Sequence, residues 1–236
     1  MTAEKLTALS ARPDGWEDIA AAPLHSLGAT LDHGPADWRA GDPVPAGWQW
    51  LYFLPLTPQS RLDEDGRSER GASLTRGMGA KRMFAGARMK FHRPLCMGER
   101  VFRESALLER AEKQGRSGPL VFMTTRYTYR DTRGPIMEEE QDIVFRESDA
   151  PDPAANRAAA VPAALWSREI TPDPVMLFRF SALTFNGHRI HYDDPYARRE
   201  GYPGLVVHGP LLAILLLDLA ARNAPGRRAA TFSFRA

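Results

Sequence analysis

The stretch FNGHRIHYDDPYARREGYPGLVVHGPL, Phe185–Leu211, gathers three of the chain's six histidines with one Asn and two Asp. Imidazole titrates near neutral pH and can both take and give a proton, so such a cluster suits general acid–base chemistry. His191 is the candidate for that exchange. Asn186, five residues earlier, can hold a water or a carbonyl by hydrogen bonds, but an amide cannot act as a base. His208-Gly209-Pro210 then opens the apolar run LLAILLLDLAARN. The first N–H groups of a helix lack intrahelical partners and lie at its positive end. The Gly209 N–H is therefore a candidate donor to an oxygen that becomes negative during reaction. Together these groups could add water to an activated double bond or remove it. Asp193 is a candidate second acid or base.

Two other chemistries are weaker. His188 and His191 stand three apart, but without Cys partners they fall short of the three or four ligands of a zinc site, and no metal is expected. GRSGP (115–119) and RGMGAKR (76–82) are basic and contain glycine, yet neither has P-loop spacing.

The chain has 236 residues, room for one large or two small domains. Net charge is +2 with scattered arginines, so no nucleic-acid partner is expected. A single cysteine, Cys96, excludes an internal disulfide, fits a reducing cytoplasm and is expected to be inert. The N-terminus has no apolar signal segment. LLAILLLDLAA is about half of the ~20 residues that a membrane span needs and contains Asp218. A soluble cytoplasmic protein is expected, with no membrane partner.

Two halves are expected, 1–147 and 167–236, joined by a Pro- and Ala-rich linker at 148–166. In the first half AGWQWLYFLP is predicted as a short buried helix, and 58–82 as a polar loop. ARMKFH, GERVFRESALLERAE, SGPLVFMTTRYTYRD and PIMEEEQDIVFRE alternate apolar and polar residues and predict an antiparallel meander. EEEQD within the last is expected to be a solvated strand edge. In the second half VMLFRFSALTFN is predicted as a strand, Pro210–Asn223 as a helix buried on nearly all faces, and ATFSFRA as a strand. With so few strands to cover its helix, the second half is expected to be incomplete at its C-terminus.

The order Asn186, His191, Tyr192-Asp193, GYPG and His208-Gly209-Pro210 resembles the motif of MaoC-type (R)-specific enoyl-CoA hydratases. WQWLYFLPLTPQS, RMFAGARMKFHRPLCMGERV, GRSGPLVFMTTRY, EEQDIVFRE and FRFSALTFNGHRIHYD extend the resemblance across residues 46–235, to the branch with two hot dogs. That branch holds mesaconyl-C4-CoA and itaconyl-CoA hydratases and the type 2 hydroxyacyl-thioester dehydratases. The resemblance implies an α+β double hot-dog fold, antiparallel sheets wrapped around a central helix. The first hot dog would be degenerate, with WQWLYFLP as its reduced helix, and would shape the acyl-CoA tunnel. The second would carry the chemistry.

The implied activity is that of a hydro-lyase, adding water reversibly to a short, dicarboxylic enoyl-CoA. His191 matches the catalytic His, and Gly209 the donor to the thioester oxygen. Asn186 stands where the broader motif has an acid, and the two-hot-dog branch also shows Asn there, which implies a water-positioning role. Arg189 could pair with a substrate carboxylate or a CoA phosphate. His188, Tyr192 and His208 are further substrate-binding candidates, with a structural role at the helix start for His208. RGMGAKR could face the CoA phosphates. No cofactor is implied, since the CoA thioester is the substrate, and a homodimer is expected by analogy alone. The alternatives are a non-catalytic acyl-CoA binding or partner subunit and an acyl-carrier-protein 3-hydroxyacyl dehydratase.

Overall fold

The segments rich in Val, Phe, Tyr and Thr extend into strands, as their alternation predicts. A computed structural model describes residues 14–68, 81–115, 118–146 and 163–235. Its strands are β1 (Gly15–Asp18), β2 (Lys81–Phe91), β3 (Arg100–Gly115), β4 (Gly118–Asp131), β5 (Gly134–Arg146) and β6 (Thr231–Arg235). They form one antiparallel sheet in the order β1-β3-β4-β5-β2-β6. The meander is therefore β3-β4-β5. The strand containing ARMKFH lies beyond it, pairing Met83 with Val144 and Phe91 with Met137, and takes β6 on its far side.

EEEQD is not a sheet edge, because β5 is flanked by β4 and β2. Its side chains alternate. Glu138, Glu140 and Asp142 face the solvated side, where Arg88 and Arg126 hold the carboxylates of Glu140 and Asp142. Glu139 points inward and is 0% exposed. There it accepts from the Trp50 indole at 2.6 Å and the Tyr129 hydroxyl at 3.2 Å, which satisfies a carboxylate that burial would otherwise penalise.

The aromatic segment forms a buried 3₁₀ turn, Trp48–Leu51, as expected. Three longer helices and one short one complete the described chain: α1 (Ala21–Thr30), α2 (Pro174–Leu183), α3 (Asp194–Arg199) and α4 (Gly209–Asn223). The opening segment, before the aromatic turn, contains β1 and α1. The strand expected over 175–186 is also corrected, since most of it is helix α2. Asp173 caps that helix by accepting the Met176 N–H at 2.7 Å, and Pro174 suits the first turn. Phe180 is 1% exposed and Phe178 60%, as a helical period demands: Leu177, Phe180, Ser181 and Thr184 share the buried face.

Helix α4 starts where its sequence predicts, but it is not buried all round. Leu211, Ala213, Ile214 and Leu217 face the core, while Leu212 and Leu216 are exposed. Its one acid, Asp218, is paired with His33, Arg168 and Arg222. No helix among the described residues is long and apolar enough to cross a membrane.

Both halves share one sheet, through β6 on β2, and one core. Leu24 and Leu27 of α1, Trp48 and Trp50 belong to the same buried cluster as Phe180 of α2 and Ile214 of α4. The expected linker at 148–166 and the RGMGAKR segment lie mostly outside the described residues, as do residues 116–117 of GRSGP.

Candidate active site

Helix α2 ends at Leu183, and the chain reverses through Phe185, whose φ is 50°. Asn186 follows. Its side-chain oxygen accepts the His188 N–H at 3.1 Å, which shapes the loop and leaves its amide NH₂ with no partner among the described residues. A 3₁₀ turn, Arg189–His191, then presents its histidine inward. Leu205–His208 runs back alongside, and Val206 N–H donates to the Ile190 carbonyl at 2.9 Å.

This return strand of backbone orients His191. The imidazole is 7% exposed, and its Nδ1 lies 2.7 Å from the Val206 carbonyl oxygen. A carbonyl only accepts, so Nδ1 carries the proton and Nε2 is left as the basic nitrogen. Burial pushes His191 below its ordinary imidazole value, and the Val206 carbonyl offsets that only in part.

His208 lies flat against it. The two rings stack with centroids 3.7 Å apart at 20°. His208 is 1% exposed, Phe180 meets it edge-on at 4.9 Å, and its Nε2 is 2.8 Å from the Ser181 hydroxyl. Burial first, and then the neighbouring His191 and His188, push His208 far below the usual imidazole range. A neutral ring beside His191 matters, because a second positive charge at this distance would oppose protonation of the first. His188 completes the group, perpendicular to His191 at 5.5 Å and likewise depressed, chiefly by burial. Among the described residues no three His, Cys, Asp or Glu side chains converge on a point that would hold a metal ion.

The structure thus brings together His188, His191 and His208, with Asn186 and Gly209 each adjacent in sequence to one of the cluster's loops. Gly209 begins α4 beside the Phe84 ring: a Cβ there would stand 2.5 Å from Phe84 Cδ1. Arg189 and Tyr192 point elsewhere. Arg189 pairs with Asp193 at 2.7 Å and lies over the Tyr196 ring at 4.5 Å. The exposed Tyr192 donates to the Gly187 carbonyl at 2.9 Å. Asp193, the candidate second acid or base, is engaged in the fold. Its Oδ1 caps α3 at the Tyr196 N–H, and the Arg189 guanidinium holds its carboxyl below the usual range.

Ser181 and the Val206 carbonyl were missed in the sequence, as was the turn Asp65-Gly66-Arg67. A Cβ on Gly66 would collide with the Gly187 carbonyl, so the two backbones touch. DEDG announces a turn, but nothing local says that it docks on a loop more than 100 residues away.

Two consequences follow for stability. Ser181→Ala removes the hydroxyl that serves His208 Nε2, and an unserved buried polar group costs about 1–3 kcal/mol. At roughly 2–4 °C per kcal/mol for a chain of this size, thermal melting should fall by several degrees. An unchanged melting temperature would contradict the role given to this pair. The three imidazoles are all depressed in the folded state, so below about pH 6.5 the unfolded chain binds protons that the folded chain refuses. Their contribution is full above that pH and is lost as pH falls toward the depressed values. The urea midpoint should begin to fall near pH 6.5; a decline confined to the carboxylate range would contradict this.

The family profile of hydroxyacyl-thioester dehydratase type 2 matches residues 47–236. The chain is 48% identical over 221 residues to the mesaconyl-C(4)-CoA hydratase of Chloroflexus aurantiacus, covering 93% of this chain and 79% of that one. Among solved structures, a MaoC-like dehydratase superposes with a TM-score of 0.65 at 14% identity, over 95% of this chain and 80% of its own. A Mycobacterium tuberculosis protein with a double hot-dog fold gives 0.53 at 13% identity, over 90% and 73%. The sheet with its buried helix is therefore of the hot-dog type, as expected.

Proposed function

This chain belongs to the hydroxyacyl-thioester dehydratase type 2 family, a family of hydro-lyases, and on that premise we propose that it adds water reversibly to a short, dicarboxylic enoyl-CoA of the mesaconyl type. The observation that carries the reading is the His191 tautomer. Its Nδ1–H is committed to Val206, so Nε2 is a buried, neutral base at the end of an oriented ring.

In the proposed reaction the thioester oxygen accepts a hydrogen bond from the Gly209 N–H, so charge can build on oxygen as the β-carbon is attacked. The Asn186 amide and His191 Nε2 hold the attacking water. His191 takes one proton from it and returns one to the α-carbon on the same face. Dehydration is the same path reversed. Water and the thioester supply every atom, and the reading requires no redox cofactor. It places the protein in the cytoplasm, acting on soluble acyl-CoA, and takes a homodimer as its working assembly.

The test is hydration of crotonyl-, mesaconyl- and itaconyl-CoA followed by loss of the enoyl-thioester absorbance. Turnover of a carboxylated substrate above crotonyl-CoA is expected. A folded protein that binds these thioesters without turnover would instead be an acyl-CoA binding subunit. Turnover of the carrier-protein thioester alone would make it a dehydratase of that class.

A further inference from the structure

With Arg189 held by Asp193, a different cation stands at the histidine cluster. The Gly66–Gly187 backbone contact is reinforced by two hydrogen bonds, from Arg189 N–H to the Asp65 carbonyl at 2.9 Å and from Arg189 Nη1 to the Glu64 carbonyl at 3.3 Å. Gly66 precedes Arg67 and Gly187 precedes His188. The contact therefore sets Arg67 beside His188, in a turn contributed by the other half of the chain. After burial, the Arg67 charge is the largest influence keeping the His188 imidazole neutral.

Arg67 is also held in one orientation. Asp65 accepts its backbone N–H at 2.8 Å and, with its other oxygen, the Nε–H. Nη1 donates to the Arg82 carbonyl at 3.4 Å. Nη2 has no hydrogen bond among the described residues, and the side chain remains 23% exposed. A guanidinium fixed on one side and open on another is suited to a planar anion.

We propose that Arg67 binds the free carboxylate of a dicarboxylic acyl group and sets the preference for it over a plain acyl-CoA. This assignment rests on the hydratase reading for its substrate class. Asp65 offsets part of the guanidinium charge, which lowers its attraction for an anion without removing it. The competing anion at such a position is a phosphate of CoA.

Binding of two unreactive thioesters, succinyl-CoA and butyryl-CoA, tests this without turnover, so a failure of the hydratase reading is seen separately in the enoyl-CoA assay. Wild type should prefer succinyl-CoA by about tenfold or more, as a charge-assisted hydrogen bond implies. The preference should weaken with added salt. In Arg67→Gln the ratio should collapse toward one, and in Arg67→Lys it should lie between. Arg67→Gln leaves Asp65 unmatched, so the double variant with Asp65→Asn isolates the guanidinium. An unchanged ratio, or no preference in wild type, overturns the assignment. Equal weakening of both ligands also overturns it and moves Arg67 to the CoA phosphates. Should Arg67→Gln not fold, Arg67→Lys and the salt series decide, and a preference insensitive to both is fatal.

Discussion

His191→Ala is expected to lower kcat for hydration by about 10²- to 10⁴-fold, with KM nearly unchanged. The size follows from how the neighbouring groups are engaged. Asn186 cannot accept a proton from water, Asp193 is committed to Arg189 and the α3 cap, and His208 is stacked with its Nε2 at Ser181. If one residue both takes and returns the proton, no neighbour shares the loss. The pH profile should say the same. Because burial holds the His191 imidazole low, wild-type kcat/KM should lose activity on the acid side only below the ordinary value near 6.5. An alanine variant retaining more than about a tenth of wild-type kcat would mean that another group does the chemistry.

Gly209→Ala should act through two separable effects. A Cβ at 2.5 Å from Phe84 Cδ1 forces either the ring or the start of α4 to move, and Phe84 is itself packed against Trp50 and Phe234. Overpacking of this kind costs about 1–3 kcal/mol. If α4 yields, the Gly209 N–H leaves its position, and losing one such donor costs about 10²- to 10³-fold in kcat. Adding Phe84→Leu makes room for the methyl group. Stability and activity recovering together would show that the backbone had been displaced. Stability recovering without activity would show that the methyl group itself blocks the thioester. A variant in which the start of α4 is displaced and kcat is unchanged would contradict the oxyanion role.

Much of the site was legible because its residues are close in sequence. Asn186, His188 and His191 sit on one short loop, and the helix after His208-Gly209 announces itself by Pro210 and its apolar run. The strands were legible because a pleated sheet with one buried face imposes alternation. The element misread was α2, where Phe178 and Phe180 imitate a strand over three residues. The Asp173 cap and the spacing of Leu177, Phe180, Ser181 and Thr184 overrule that imitation. Glu139 was misread for the opposite reason. Its acidic neighbours suggested water, but alternation turns every second residue inward whatever its type, and Trp50 and Tyr129 wait there with donors.

By itself, then, the amino-acid sequence determined the chemistry at hand: an imidazole, an amide and a helix entrance in the order that water addition uses, with an antiparallel sheet to carry them. The tertiary structure decided which nitrogen of His191 is basic, because the Val206 carbonyl that selects it is set by chain reversal. It decided that His208 is a neutral stacking partner, because burial beside His191 and His188 disfavours its charge while Ser181, from a distant helix, serves its Nε2. It also decided which arginine charges reach the histidine cluster. Arg189 finds Asp193 four residues away, a pairing that the intervening 3₁₀ turn keeps local. Arg67 is brought from 121 residues before His188 by two glycines whose backbones touch. Hydrogen bonds and packing between distant segments depend on three-dimensional proximity, which spacing along the chain does not encode.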